Sequence, residues 1–166
     1  MDISNKDRVL LINQLRILKI LDSNNADSYD ATIDLLTSGF KIFYSDIEPF
    51  LSDDMPESEG RLVLDVLSLY RMVDHHIHKN PGSKVAEHLY ARFDGFDGNY
   101  EGQHLAFTEF LINTQGKFRE RVIDWNEDFN SHSPCLGKYR SMIAAWENVE
   151  KKYDLSEEQV LAILDA

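Results

Sequence analysis

The sequence predicts an all-α protein, a multihelical compact bundle of about seven helices with no sheet. Three observations carry that prediction. Apolar residues recur three and four apart along most of the chain, the spacing that places them on one face of a helix. The strict alternation of a half-buried strand is absent. Helix starts and stops can be read from Ser, Asp, Pro and Gly at positions where unpaired backbone groups need them.

The first helix is expected from Ser4, with Asp7 three residues on as an acidic form of the capping box. Leu11, Leu15 and Leu18 form one stripe, and Leu10, Ile17 and Leu21 a neighbouring one. Together they are wider than one partner helix needs, which predicts burial on two sides, inside the monomer or between subunits. The 22–25 segment, Asp-Ser-Asn-Asn, stops the helix because its side chains compete for backbone hydrogen bonds. A second helix carries Tyr29, Ile33 and Leu36, with Gly39 placed to end it in the left-handed conformation. Residues 40–51, with Phe43, Tyr44, Ile47 and Phe50, have room for one short helix before Pro49 breaks it.

The longest helix is expected to start at an Asp54 cap, with Pro56 in its first turn and Glu57 three residues after the cap. Leu62, Val66, Leu69, Val73 and Ile77 mark its buried stripe, and Asn80-Pro81-Gly82 ends it. A fifth helix is predicted over 83–92. Asp97 is expected to cap a sixth, bearing Tyr100, His104, Phe107 and Leu111 and ending at Gly116. Ser133-Pro134 reads as a cap and first-turn proline for a helix with Tyr139, Ile143 and Trp146, extended by Met142, Val149 and Tyr153. The last helix has a full signature: a Ser156 cap, Gln159 completing the box, and Leu155 stapled to Val160.

With 166 residues, 43% of them hydrophobic, the chain is the size of one domain with one sizeable core. The expected unit is 1–166, with an N-terminal helical hairpin (1–51) packed on a multihelical part (52–166). Asp and Glu number 29 against 17 Lys and Arg, a formal charge of -12. A duplex phosphate backbone is repelled by that field, and the densest basic cluster, Lys117, Arg119 and Arg121, is too small to reverse it. Neither a nucleic-acid nor a membrane partner is therefore expected. Cys135, the only cysteine, rules out an internal disulfide and a thiolate zinc cluster. The apolar stretch 9–21 is broken by Asn13, Gln14, Arg16 and Lys19, too polar for a signal peptide or a span, so a cytoplasmic location is expected.

Four constellations invite a chemical reading. Asp74, His75 and His78 share a helix face, and imidazole with carboxylate suits zinc, nickel or iron. They are candidate metal ligands for a metal-dependent hydrolase, although Arg71 sits beside them and a solvated helix end explains them without a metal. Asp124, Asn126, Asp128 and Asn130 imitate half a calcium loop, but Phe129 and Cys135 stand where Gly and a bidentate Glu belong. His104 lies on an apolar stripe and reads as a hydrogen-bonded core residue. His132 beside Ser133 and Cys135 suggests a thiol nucleophile, but no third group orients the base. Phosphate-binding glycine loops and serine elbows are absent, and no catalytic residue or cofactor is assigned.

The chain also resembles a known family. Asn13-Gln14, Leu21-Asp22 and Asn25-Ala26 are followed by Gly95-Phe96-Asp97. Then come Phe129-Asn130, His132, Pro134, Tyr139, Met142, Trp146, Tyr153 and Leu155-Ser156. In that order they resemble the YfbU family of bacterial proteins over nearly the whole length. The chain departs from it at Cys135 and Leu136, where Met and Trp are expected, and over 75–84. The resemblance implies an all-helical fold and self-association. It implies no reaction and no ligand set, and it assigns Gly95, Phe96, Asp97, Phe129, Asn130, His132, Pro134, Tyr139 and Trp146 structural roles. The function expected from all of this is a non-enzymatic, oligomeric interaction or regulatory protein.

Overall fold

The computed structural model describes residues 3–47, 54–120, 125 and 128–166. Among them are seven α-helices and no strand: α1 (Asn5–Leu21), α2 (Ala26–Ser38), α3 (Tyr44–Ile47), α4 (Glu57–Lys79), α5 (Gly102–Glu109), α6 (Leu136–Glu147) and α7 (Glu157–Asp165). The chain divides into two compact units, Met1–Asp53 and Asp54–Ala166.

In the first unit the local signals hold. Ser4 Oγ accepts from Asp7 N at 3.2 Å while the Asp7 carboxylate accepts from Ser4 N, the expected capping box. Gly39 ends α2 at φ +72°, where an L side chain is strained. Arg8 of α1 donates to Leu36 O at 2.7 Å and Thr37 O at 2.9 Å, satisfying carbonyls that the end of α2 leaves unpaired. Lys19 and Asp30 add an ion pair between the same two helices. These polar ties join the two helices, while α1 half-buries Leu11, Ile12 and Leu15 and buries none of its seventeen residues fully. A 3₁₀ turn at Lys41–Phe43 runs into α3; Pro49 and Phe50 lie outside the described residues.

The second unit is built on α4. It buries Leu62, Val63, Val66, Leu67, Leu69, Tyr70, Met72, Val73 and Ile77, far more than one stripe, because neighbours pack around it from several directions. The apolar sides of α6 and α7 join the same core through Tyr139, Met142, Ile143, Trp146, Val160, Ile163 and Leu164. An aromatic cluster closes one end. Phe93 lies 4.9 Å from Trp125, 5.8 Å from Phe96 and 5.9 Å from Tyr139, mostly tilted or edge-on, the geometry ring quadrupoles favour.

Several expected boundaries move. Helix α4 begins after Pro56 with no side-chain cap, so Asp54 does not serve as one. The predicted helix over 83–92 is a 3₁₀ turn, Lys84–Glu87, capped by Ser83. His88 is extended, and its Nδ1 accepts from Tyr90 N, so the side chain takes a bond a helix would have used. Helix α5 starts at Gly102 and widens into a π turn, Phe110–Thr114, before Gly116 ends it at φ +69°. Helix α6 stops at Glu147, short of Val149 and Tyr153. The Ser156–Gln159 capping box of α7 forms as expected.

Candidate functional site: the junction of 95–101 and 128–139

Two segments far apart in sequence are joined here by backbone. Phe96 N donates to Phe129 O at 2.9 Å and Ser131 N to Phe96 O at 3.2 Å, a single parallel bridge in a helical protein. Gly95 makes the approach feasible. It sits at φ +98°, and a Cβ there would lie 1.7 Å from Phe129 O, so no other residue fits without opening the bridge. The Phe96 and Phe129 side chains are buried in the aromatic cluster. Tyr139 of α6 reaches over and donates its hydroxyl to Gly95 O at 2.9 Å.

Polar side chains complete the joint. Asn130 Oδ1 accepts from Gly98 N at 3.2 Å and His132 N at 3.0 Å. Asp97, buried, folds its own turn by accepting from Asn99 N and Tyr100 N; it does not cap α5. The Glu101 carboxylate accepts from three backbone N–H groups. Its Oε1 accepts from Cys135 N and Leu136 N, each at 2.8 Å, and its Oε2 from Asp97 N at 3.0 Å. The first turn of α6 is therefore capped from 34 residues upstream. This corrects the expected Ser133-Pro134 cap: the N-cap residue is Cys135, which has no side-chain cap of its own. Phe129 at φ +51° and His132 at φ +54° hold left-handed backbone without being glycine, at a cost of roughly 1–3 kcal/mol each, which the surrounding bonds offset.

Beside the joint is a cavity of about 210 Å³ whose walls include Tyr70, Tyr90, Asp94, Cys135, Lys138 and Tyr139. Burial pushes the Tyr70 and Tyr139 phenols well above their usual range, so both stay protonated at any physiological pH. Burial also raises the Cys135 thiol, and the nearby Glu101 charge adds to the effect against a lowering bond from Ser131. That is the wrong direction for a nucleophile at neutral pH. The exposed His132 carries left-handed backbone, and the thiol donates to Ser133 O at 3.3 Å.

The other sequence candidates fall elsewhere. Asp74 is buried, whereas the His75 ring stands against Tyr153, with Nε2 3.7 Å from Asp154, and His78 is exposed. Among the described residues no three His, Cys, Asp or Glu side chains form a group able to hold a metal ion, so one helix face does not become one site. His76 is buried instead, between Leu155 O and Ser83 Oγ. His104 contacts Glu59 at 2.8 Å, and Arg140 bonds the same carboxylate. Asp124, Asn126 and Arg121 lie outside the described residues. Asp128 closes a turn onto Asn130 N, and Arg119 donates to Ile112 O and Asn113 O, capping the π turn. Trp146, buried, donates its indole N–H to Lys152 O, and Pro134 lies exposed beside the cavity. Sequence reasoning missed Glu101, Tyr70 and Lys138. Their partners are remote in sequence, so no local spacing announces them.

An all-helical protein whose α6 is capped from a distant, glycine-dependent turn is the class that fold and joint define. The profile of the YfbU domain matches residues 1–166, and the chain belongs to the YfbU family. It is 44% identical over 169 residues to the UPF0304 protein MJECS11 of Methanocaldococcus jannaschii, a match covering 99% of each chain. That relative is archaeal, so the likeness extends outside the bacteria in which the family was expected. Among the described residues no helix is long and apolar enough to cross a membrane.

Proposed function

We propose that the protein is a non-enzymatic, cytoplasmic interaction or regulatory protein that works as a homo-oligomer, with its N-terminal hairpin as the subunit contact. One observation carries the reading: the elements of the first unit leave the apolar side of α1 open. Val9 and Ile17 are each 58% exposed, Ile20 83% and Leu21 77%. Apolar side chains concentrated on one helix mark an interaction site. A second copy fits best by charge. Helix α1 carries Lys6, Arg8, Arg16 and Lys19 against Asp7 alone, whereas α2 carries Asp27, Asp30 and Asp34 and no cation. A two-fold contact sets each α1 on its partner's α2, repeating between chains the pairing found within one.

The test is solution mass. Light scattering at micromolar concentration is expected to give a dimer or higher species, which Ile17→Glu with Leu21→Glu converts to a folded monomer. A wild-type chain that is strictly monomeric at that concentration ends the proposal.

A further inference from the structure

We infer that the cavity beside the 95–101 and 128–139 joint is a binding site for a small monocarboxylate with a flat or short apolar body. The inference is independent of self-association, because the cavity lies wholly within the second unit. Size limits the ligand first. About 210 Å³ is far more than one water needs and less than the roughly 300–1,000 Å³ of drug-sized pockets, so a single ring or short chain fits.

The walls then select the chemistry. Lys138 lies on the first turns of α6, and among the described residues its contact is the Tyr90 ring, 4.1 Å from the ammonium nitrogen, rather than a carboxylate. In a chain of charge -12, such a cation at a cavity wall is placed to receive an anion. Tyr70 supplies a hydroxyl kept protonated by burial, so it can donate to a carboxylate oxygen. The Tyr139 proton is already committed to Gly95 O, so of the two buried phenols on the wall Tyr70 is the one left to donate. Two negative groups set the upper limit on ligand charge. Asp94 shares the wall, and the Glu101 carboxylate caps the first turn of α6, so a phosphate dianion meets repulsion that one lysine does not offset. The rings of Tyr70 and Tyr90, with Pro134, provide the apolar surface.

The experiment is calorimetric titration of the full chain with benzoate, alongside inorganic phosphate and benzylamine. Benzoate is expected to bind saturably in the millimolar range or tighter, and more tightly than either comparison compound. Lys138→Met, a change at the helix surface that leaves the core intact, is expected to weaken benzoate about 10-fold or more, as the loss of a charge-assisted contact does. Tyr70→Phe, with folding checked by thermal unfolding, is expected to weaken it as well. No saturable benzoate binding at millimolar concentration overturns the inference. So does tighter binding of phosphate or benzylamine, or a benzoate affinity that Lys138→Met leaves unchanged.

Discussion

Replacing Glu101 with Ala removes the acceptor for three backbone N–H groups at once. Asp97 N, Cys135 N and Leu136 N point at a carboxylate that is 4% exposed, so water does not readily take its place. A hydrogen bond to a charged acceptor contributes about 1.5–3 kcal/mol, and a lost helix cap alone costs about 0.5–2 kcal/mol. The three bonds share one side chain and are not additive, so the expected total is about 3–5 kcal/mol, the range for a broken buried network. Glu101→Gln separates the parts. An amide oxygen can still accept from Cys135 N and Leu136 N, whereas its NH₂ faces Asp97 N donor to donor, so a loss of about 1–2 kcal/mol is expected. Urea unfolding followed by far-ultraviolet dichroism measures both. A Glu101→Ala variant within about 0.5 kcal/mol of wild type, the range of a neutral surface change, refutes the account of α6 capping.

Two further outcomes follow from the same geometry. Gly95→Ala is expected to cost at least about 3 kcal/mol, because the new methyl collides with Phe129 O and the backbone is left-handed; Gly137→Ala, where a Cβ meets nothing within 4 Å, is the neutral-to-stabilising control in the same melts. Acid lability is expected at Glu59, whose carboxyl is held below its usual 4.5 by the bond to His104 and then by Arg140. A depressed acid contributes stability above its unfolded value and loses it as pH falls through the folded one, so Glu59→Gln flattens the melting temperature below about pH 4.5. An unchanged acid slope in that variant counts against the Glu59 bonds.

What was legible in the sequence divides by range. The Ser4–Asp7 and Ser156–Gln159 boxes each pair residues three apart, and Gly39 answers a backbone need at its own position, so all three could be read locally. The stripe of α4 was legible for the same reason, although its burial on other sides was not, since neighbours decide that. The misplaced starts share one cause: each depends on a partner elsewhere in the fold. Ser133 looks like a cap for α6, but Glu101 reaches the N–H groups first; Asp97 looks like a cap for α5, but its oxygens close a turn two residues on. The family residues from Gly95 to Tyr139 converge on one joint, and only the backbone bridge shows why they belong together. Asp74, His75 and His78 illustrate the reverse. A shared helix face brings residues near one another without making a site: Asp74 turns into the core while His78 stays in solvent.

A helix capped from a distance has lost its independence. Excised as a peptide, α6 has only twelve residues and no terminal side chain to hold its first turn, too short to nucleate well in water. In the intact chain it must wait for the 95–101 turn, which during synthesis leaves the ribosome first and presents Glu101 before residues 135 and 136 arrive. The contact that caps α6 spans 34 residues of chain, so its first turn depends on a non-local closure of the kind that carries a loop-entropy cost. Helix propensity alone therefore does not account for α6; the 95–101 turn is part of what makes it a helix.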